Sequence, residues 1–366
     1  MKNKILFVIN KLSGYGGAQR AGIKVCNYLV EAGYNIDILS LRKSDPIYDI
    51  HENISIYYIN NRSHIGSRVL GKIIYKIKLY NYVNNKNYNI VISFTAGANI
   101  EVLSTLTKNK DNKVIVSERS SLPRVNKSEE WNNWLVNLYK KSNLVTSNSN
   151  TVLRYLNKKG VYNTFHTPNP FDLPYRYKKH TSFECKPKTM LCVGGLREAK
   201  GYDILFKALS KLQKQQLNDV TLIIIGDGPL KNELHLLSDR LGISNLIKWE
   251  GASTTIEDYY LRADFLILPS RWEGVPNVLL EALGYGLPAI ISDYRGNLEY
   301  VNDGEEVLVF KNGDSSDLSK KIMEVLSSTN LRKRLSINAR RRAEIIADEH
   351  KIDVWQEAIH KITKAL

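Results

Sequence analysis

The sequence predicts an α/β protein of two doubly wound, Rossmann-like domains, and three observations carry that prediction. At 366 residues the chain is longer than one hydrophobic core usually serves. Short apolar runs of strand length alternate with amphipathic runs of helical period along most of its length. The alternation breaks over the proline-rich stretch 160–188, which holds Pro168, Pro170, Pro174 and Pro187, and restarts at Thr189. The expected domains are 1–170 and 189–346, with a linker at 171–188 and a terminal helix in 347–366 that crosses back to the first domain.

KILFVIN (4–10) reads as a buried first strand rather than a signal peptide, because its apolar run is only five residues long. Gly14, Gly16 and Gly17 follow, and then an amphipathic helix to about residue 33. Strand, glycine turn and helix make half of a nucleotide-binding unit, yet G-x-G-G is not the dinucleotide fingerprint, and Asp37 lies inside the second strand. An NAD site is therefore not expected; the glycines are expected to let a loop approach another molecule closely. Strands follow at 34–41 and 54–59. Residues 65–82 place Val69, Leu70, Ile73, Ile74, Ile77 and Tyr80 or Leu79 at helical spacing beside Arg68, Lys72, Lys76 and Lys78. Two readings stay open: a core-facing helix with solvated lysines, or a basic amphipathic helix lying on anionic lipid.

Strands at 89–94 and 113–117 come next. The second ends in Glu118-Arg119 before a proline-marked turn, a site candidate at the end of a parallel strand. Trp131, Trp134 and Leu138 recur at helical spacing, as core or interface residues rather than a ligand platform. A strand at 144–149 and a helix at 151–159 end the first half. Beyond Thr189, strands are expected at 190–195, 220–226, 246–249, 265–268, 288–292 and 307–310. Helices over 315–327 and 330–346 close that domain, and the terminal helix carries Val354, Trp355, Ala358, Ile359 and Ile362 on one face.

The net charge of +15 is unevenly placed: Lys and Arg outnumber Asp and Glu by 27 to 11 in residues 1–180, against 25 to 26 beyond. A basic first half fits an anionic partner. No segment approaches the ~18 apolar residues of a transmembrane helix. Cys26, Cys185 and Cys192 form no metal or disulfide framework and are expected to be reduced, with a Cys185–Cys192 pair as the alternative.

The second domain concentrates the chemistry. Arg197 and Lys200, in the Gly194-Gly195 loop at the start of a helix, are suited with its amides to a diphosphate. Gly226-Asp227-Gly228 ends the next strand. Glu273 lies in a turn after the strand at 265–268, and Glu281 on the helix behind it. Carboxylates repel phosphate, so their partners are hydroxyls. A ligand with hydroxyls at both ends and phosphate between is a sugar nucleotide.

In these stretches the chain resembles the retaining GT-B glycosyltransferases of family 4, glycosyl transferases group 1, which includes bacterial capsule, O-antigen and mannosyl transferases. The resemblance rests on GGAQR (16–20), VGGLREAKG (193–201), IIGDGP (224–229), PSRWEGVPNVLLEALGYGLPAIISD (269–293) and GNLEYVNDG (296–304); the fourth holds the family's Glu-x7-Glu pair as Glu273 and Glu281. It implies two Rossmann-like domains facing a central cleft. It also implies that Lys200 binds the donor diphosphate, Glu281 the ribose hydroxyls and Glu273 the transferred sugar. Amides of Asn277, Val278 and Leu279 would line sugar and phosphate, and Gly16 and Gly17 would place a loop against the diphosphate. Two departures stand out. Gly195 replaces an arginine common in relatives, with Arg197 as the candidate substitute. Ser117-Glu118-Arg119 stands where many relatives place a histidine, so that either Glu118 serves the acceptor or Arg119 orients Glu118.

The resemblance further implies transfer of a hexose or N-acetylhexosamine from a nucleotide sugar, expected to be a UDP-sugar, to a saccharide on polyprenyl diphosphate, in a cytoplasmic enzyme peripheral at the inner face of the plasma membrane. Glu273, Lys200 and Glu118 are the expected catalytic residues. With no Asp-x-Asp pair at a strand end, neither a metal nor another cofactor is expected, and no nucleic acid is an expected partner. The rivals are a nucleotide-sugar epimerase on the same fold and a basic anion-binding or nucleic-acid-binding module, the latter resting on charge alone.

Overall fold

The computed structural model describes residues 4–14, 16–59, 68–106, 112–178, 189–212, 217 and 219–363. They form two compact units, Met1–Pro170 with His350–Leu366, and Phe171–Glu349. The expected helix start at 65–67, linker residues 179–188 and Cys185 lie outside the described residues.

In the first unit, β1 (Lys4–Ile9), β2 (Asn35–Ser40), β3 (Ser55–Tyr58), β4 (Ile90–Phe94), β5 (Lys113–Glu118), β6 (Leu144–Ser147) and β7 (Thr164–His166) form one sheet in the order β3-β2-β1-β4-β5-β6-β7. Every pairing is parallel. Central strands are apolar at nearly every position because both faces are covered. Successive side chains alternate between faces: Leu6 and Val8 pack with α2 (Arg68–Asn85), α3 (Ala96–Leu106), α4 (Glu129–Tyr139) and α5 (Asn150–Lys158), whereas Ile5, Phe7 and Ile9 pack with α1 (Gly17–Glu31) and the late helix α12 (Val354–Thr363). Trp355 of α12 is 0% exposed, with its ring 6.0 Å from that of Phe94.

In the second unit, β8 (Thr189–Val193), β9 (Thr221–Ile225), β10 (Ile247–Gly251), β11 (Phe265–Leu268), β12 (Ala289–Ser292) and β13 (Val307–Phe310) are also parallel, in the order β10-β9-β8-β11-β12-β13. On one face α6 (Tyr202–Ser210), α7 (Lys231–Arg240) and α10 (Ser315–Ser327) cover Met190, Cys192, Ile224, Phe265 and Ile267; on the other α8 (Glu257–Arg262), α9 (Asn277–Gly284) and α11 (Thr329–Glu349) cover Leu191, Val193, Leu266 and Leu268. The strand order reverses between β8 and β11, so the loops leaving those strands splay apart and open a crevice at their carboxyl ends.

Three details differ from the sequence reading. β7 lies within 160–188, where no strand was expected; as a three-residue edge strand holding Thr164 and His166, it gives no alternating apolar signal. Residues 171–178, expected as linker, pack with the second unit: Phe171 and Leu173 join its core, and the Lys178 amide donates to Tyr285 O at 2.9 Å. Ile77 and Tyr80 of α2 are 52% and 43% exposed, whereas Leu79, the alternative to Tyr80, is buried with Val83.

Candidate active site

The second unit's switch point is built from the loops after β8 and β11. Gly201 ends a short 3-10 turn, Glu198–Lys200, in the left-handed region (φ 66°), and a Cβ there would stand 2.0 Å from Pro269 O. Only glycine lets the two loops touch. Arg271 fastens them further. Its amide donates to Ala199 O at 2.8 Å, and its guanidinium grips both Asp203 oxygens at 2.7 Å each. Burial pushes the Asp203 carboxyl up, but the Arg271 hydrogen bonds and charge outweigh it, so the group is held below its ordinary value. Behind the β11 loop a Cβ on Gly296 would lie 1.8 Å from Gly274 O. Buried Asn297 donates to Ser292 Oγ at 2.8 Å, and Ser292 Oγ donates to Ser270 O.

On this frame Lys200 Nζ forms an ion pair with Glu273 Oε1, and Ser270 Oγ donates to the same oxygen at 3.0 Å. The stem of Lys200 lies over Gly194, its Cε 3.2 Å from where a Cβ would be. Arg197 Nε comes within 3.7 Å of the corresponding point at Gly195. Two cations thus converge on the Gly194-Gly195 turn. The β9 loop is laced to it, with the Leu196 amide donating to Asp227 O at 3.0 Å.

α9 starts at Asn277 after Pro276, without a side-chain cap or an acidic residue in its first turn. Leu279 departs from the expectation. Its side chain is buried in the core and its amide donates to Pro276 O at 3.1 Å, so the helix's own first turn consumes it. Asn277 and Val278 remain at the helix start. Glu281 is partly exposed one turn on, and Tyr260 OH donates to its Oε2 at 2.7 Å.

In the first unit Gly16 caps α1, which begins at Gly17 with no side-chain cap and no acidic first-turn residue. Glu118 departs from the part expected of it. It is 0% exposed and accepts from Tyr139 OH at 2.7 Å, from the Ser120 amide at 2.9 Å and from Arg124 Nη2 at 3.3 Å. Burial, with the Glu118 charge beside it, drives the Tyr139 phenol well up. Arg119 turns elsewhere, to Ser117 Oγ (2.8 Å) and Thr167 O (2.6 Å), with its guanidinium over Phe94 and Trp355. These contacts tie the Glu118 carboxylate to the 119–128 loop and to α4.

Sequence reading named Glu273, Lys200, Arg197 and Glu281 but missed Tyr260, Ser270, Asp203, Arg271 and Asn297. Ser270 and Arg271 lie inside a motif already singled out. Tyr260 and Asp203 carry no local signal, since each meets its partner only through the fold.

Residues 176–342 match the family model described as glycosyl transferases group 1. Over 361 residues, 96% of this chain and 99% of the relative, the sequence is 26% identical to an uncharacterized glycosyltransferase of Haemophilus influenzae. It is 25% identical over 369 residues, 99% of each, to the Campylobacter jejuni GalNAc-alpha-(1->4)-GalNAc-alpha-(1->3)-diNAcBac-PP-undecaprenol alpha-1,4-N-acetyl-D-galactosaminyltransferase. The fold is shared with HepE of Anabaena in complex with UDP and glucose (TM-score 0.79, 19% identity, 100% of both chains). It is shared also with sucrose-phosphate synthase of Thermosynechococcus elongatus (TM-score 0.81, 16% identity, 100% of both chains).

Proposed function

We propose that the chain, a glycosyltransferase of the GT-B fold whose residues 176–342 match the glycosyl transferases group 1 model, moves a hexose or N-acetylhexosamine from a UDP-sugar, with retention, onto a saccharide carried by polyprenyl diphosphate in surface polysaccharide synthesis. The observation that carries this reading is the convergence of Lys200, Arg197, Glu273 and Ser270 at the β8/β11 switch point. The Campylobacter relative, by its name, acts on an undecaprenol-linked saccharide, and HepE holds UDP; both lend support for acceptor and donor class.

In this reading Lys200 and Arg197 receive the diphosphate, with the amides at the start of α9, and Glu281 accepts the ribose hydroxyls. Glu273 accepts hydroxyls of the transferred sugar. Glu118 positions Arg124 and the 119–128 loop rather than touching the acceptor. Transfer with retention needs charge stabilised on the leaving diphosphate and strict positioning, more than a strong protein base. The phosphate oxygen itself takes the acceptor proton as the glycosidic bond breaks, and the two cations and helix amides bear the charge without a divalent metal.

We also propose peripheral membrane association through α2. Its outer face carries Lys76 and Lys78 with Ile77 and Tyr80, 52% and 43% exposed, a mixture suited to an anionic interface.

The test is a panel of UDP-, GDP- and dTDP-sugars with a polyprenyl-diphosphate saccharide, in the presence of EDTA, followed by acceptor mass and the anomeric proton of the product. A mass gain of one sugar with retained configuration is expected from a UDP donor. A nucleotide sugar consumed without acceptor gain, or a product of inverted configuration, would overturn the reading.

A further inference from the structure

We propose that Tyr260 is a positioning residue for nucleotide recognition, holding Glu281 in the orientation that accepts the ribose diol. This rests on the assignment of Glu281 to the ribose made above.

Glutamate has three side-chain torsions, and a carboxylate that must meet two vicinal hydroxyls gains from having them fixed before the ligand arrives. Tyr260 supplies that constraint. Its hydroxyl donates to Glu281 Oε2 at 2.7 Å, and a phenol bonded to a carboxylate is among the stronger neutral-to-charged hydrogen bonds. The phenol itself cannot shift easily. Tyr260 is 0% exposed, and its ring stacks on that of Tyr285 with centroids 5.1 Å apart and planes 11° from parallel. Tyr285 follows Glu281 by one helical turn, its amide donating to Glu281 O at 2.9 Å, so the carboxylate and the stacking partner leave α9 on the same side.

Lys178 locks the two tyrosine-bearing segments to one another. Its ammonium donates to Leu261 O at 3.2 Å and to Ala263 O, the carbonyls just after Tyr260, while its amide donates to Tyr285 O at 2.9 Å. Burying a lysine is costly unless its donors are satisfied. Here it fixes the end of α8 against the end of α9, which sets the depth at which the Tyr260 hydroxyl meets Glu281.

Tyr260→Phe keeps the stacked ring and deletes only the hydroxyl, so the variant is expected to fold and to melt within a few degrees of the parent. Binding of UDP, GDP and their 2′,3′-dideoxy analogues is measured by calorimetry for the parent, Tyr260→Phe and Glu281→Ala. Tyr260→Phe should weaken binding of the preferred ribonucleotide by about tenfold, the value of one charge-assisted hydrogen bond, raise donor KM by a like factor, leave kcat within about twofold, and leave dideoxy-nucleotide binding unchanged. A purely structural role would weaken ribo- and dideoxy-nucleotides alike, and that result overturns the proposal. If Glu281→Ala abolishes the preference for the diol while Tyr260→Phe retains it in full, the ribose assignment stands and the role of Tyr260 falls. If the parent shows no preference for the diol, both fall.

Discussion

Lys200 and Glu273, separated by 73 positions in the chain, are joined as an ion pair, and Ser270 binds the same carboxylate oxygen. The cation assigned to the phosphate and the acid assigned to the sugar are thus held side by side at the β8/β11 switch point. Lys200→Ala is expected to lower kcat/KM by about 100-fold or more, the usual cost of removing a group aimed at developing charge, and to weaken UDP binding in calorimetry. Its effect on melting should be small, because partly exposed ion pairs contribute little to stability. Glu273→Gln should keep UDP affinity within about threefold while lowering kcat about 100-fold. UDP binding by Lys200→Ala equal to the parent's would refute the assignment.

Arg197 covers the turn at which Gly195 offers no side chain, its Nε 3.7 Å from the position of a Cβ there. Arg197→Ala should weaken UDP binding by about tenfold, one charge-assisted contact. Gly195→Arg placed in that background should recover most of the loss. Failure of the second substitution to help would show that the two positions do not serve one phosphate.

Backbone demands differ sharply between two glycines of the same loop. A Cβ on Gly195 meets nothing nearer than Asp227 O at 3.5 Å, whereas one on Gly201 would lie 2.0 Å from Pro269 O in a left-handed conformation (φ 66°). Gly195→Ala should change stability by less than about 1 kcal/mol. Gly201→Ala should lose about 2–4 kcal/mol, since strain and overpacking add. Urea titrations of the two variants decide it.

Stability should carry an acid signature from Asp203. The Arg271 pair holds its carboxyl below the ordinary 3.8, so the pair's contribution is complete above that pH and is lost as pH falls through the lower folded value. Asp203→Asn should cost roughly 1 kcal/mol near neutrality, the screened worth of a partly exposed bidentate pair. The gap between variant and parent should close as the pH is taken below 3.8. A gap independent of pH would assign the loss to packing instead.

Burial pushes the Cys26 thiol well up and the Cys192 thiol up to about 12. Iodoacetamide at about pH 8 should label neither in the folded protein and both in guanidinium, because the thiolate is the nucleophile. Peptide masses distinguish them from Cys185. Native labelling of Cys192 would mean that β8 opens readily.

The strands and helices were legible because their apolar residues are periodic, and Glu273, Glu281 and Lys200 because they fall at the ends of recognisable βα turns. The side-chain pairs that hold them were not. Tyr260 reaches Glu281, and Asp203 reaches Arg271, across separations that no periodicity records. Leu279 was misread because a helix start was treated as a row of open amides, whereas the third amide already turns back to Pro276 O. The Tyr139 bond to Glu118 was not legible, because a charged residue at a strand end looks the same in sequence whether it faces a ligand or a buried tyrosine.

Trp355 also governs the order in which the protein can be made. It fills the core of the first unit but lies in His350–Leu366, which leaves the ribosome after all of Phe171–Glu349. The second unit can therefore mature during synthesis, while the basic first unit waits with an open apolar face for residues translated after it. Fragments stalled before α12 would be clients for chaperones and proteases rather than half-proteins, so a premature stop near residue 350 removes the first unit along with a single helix.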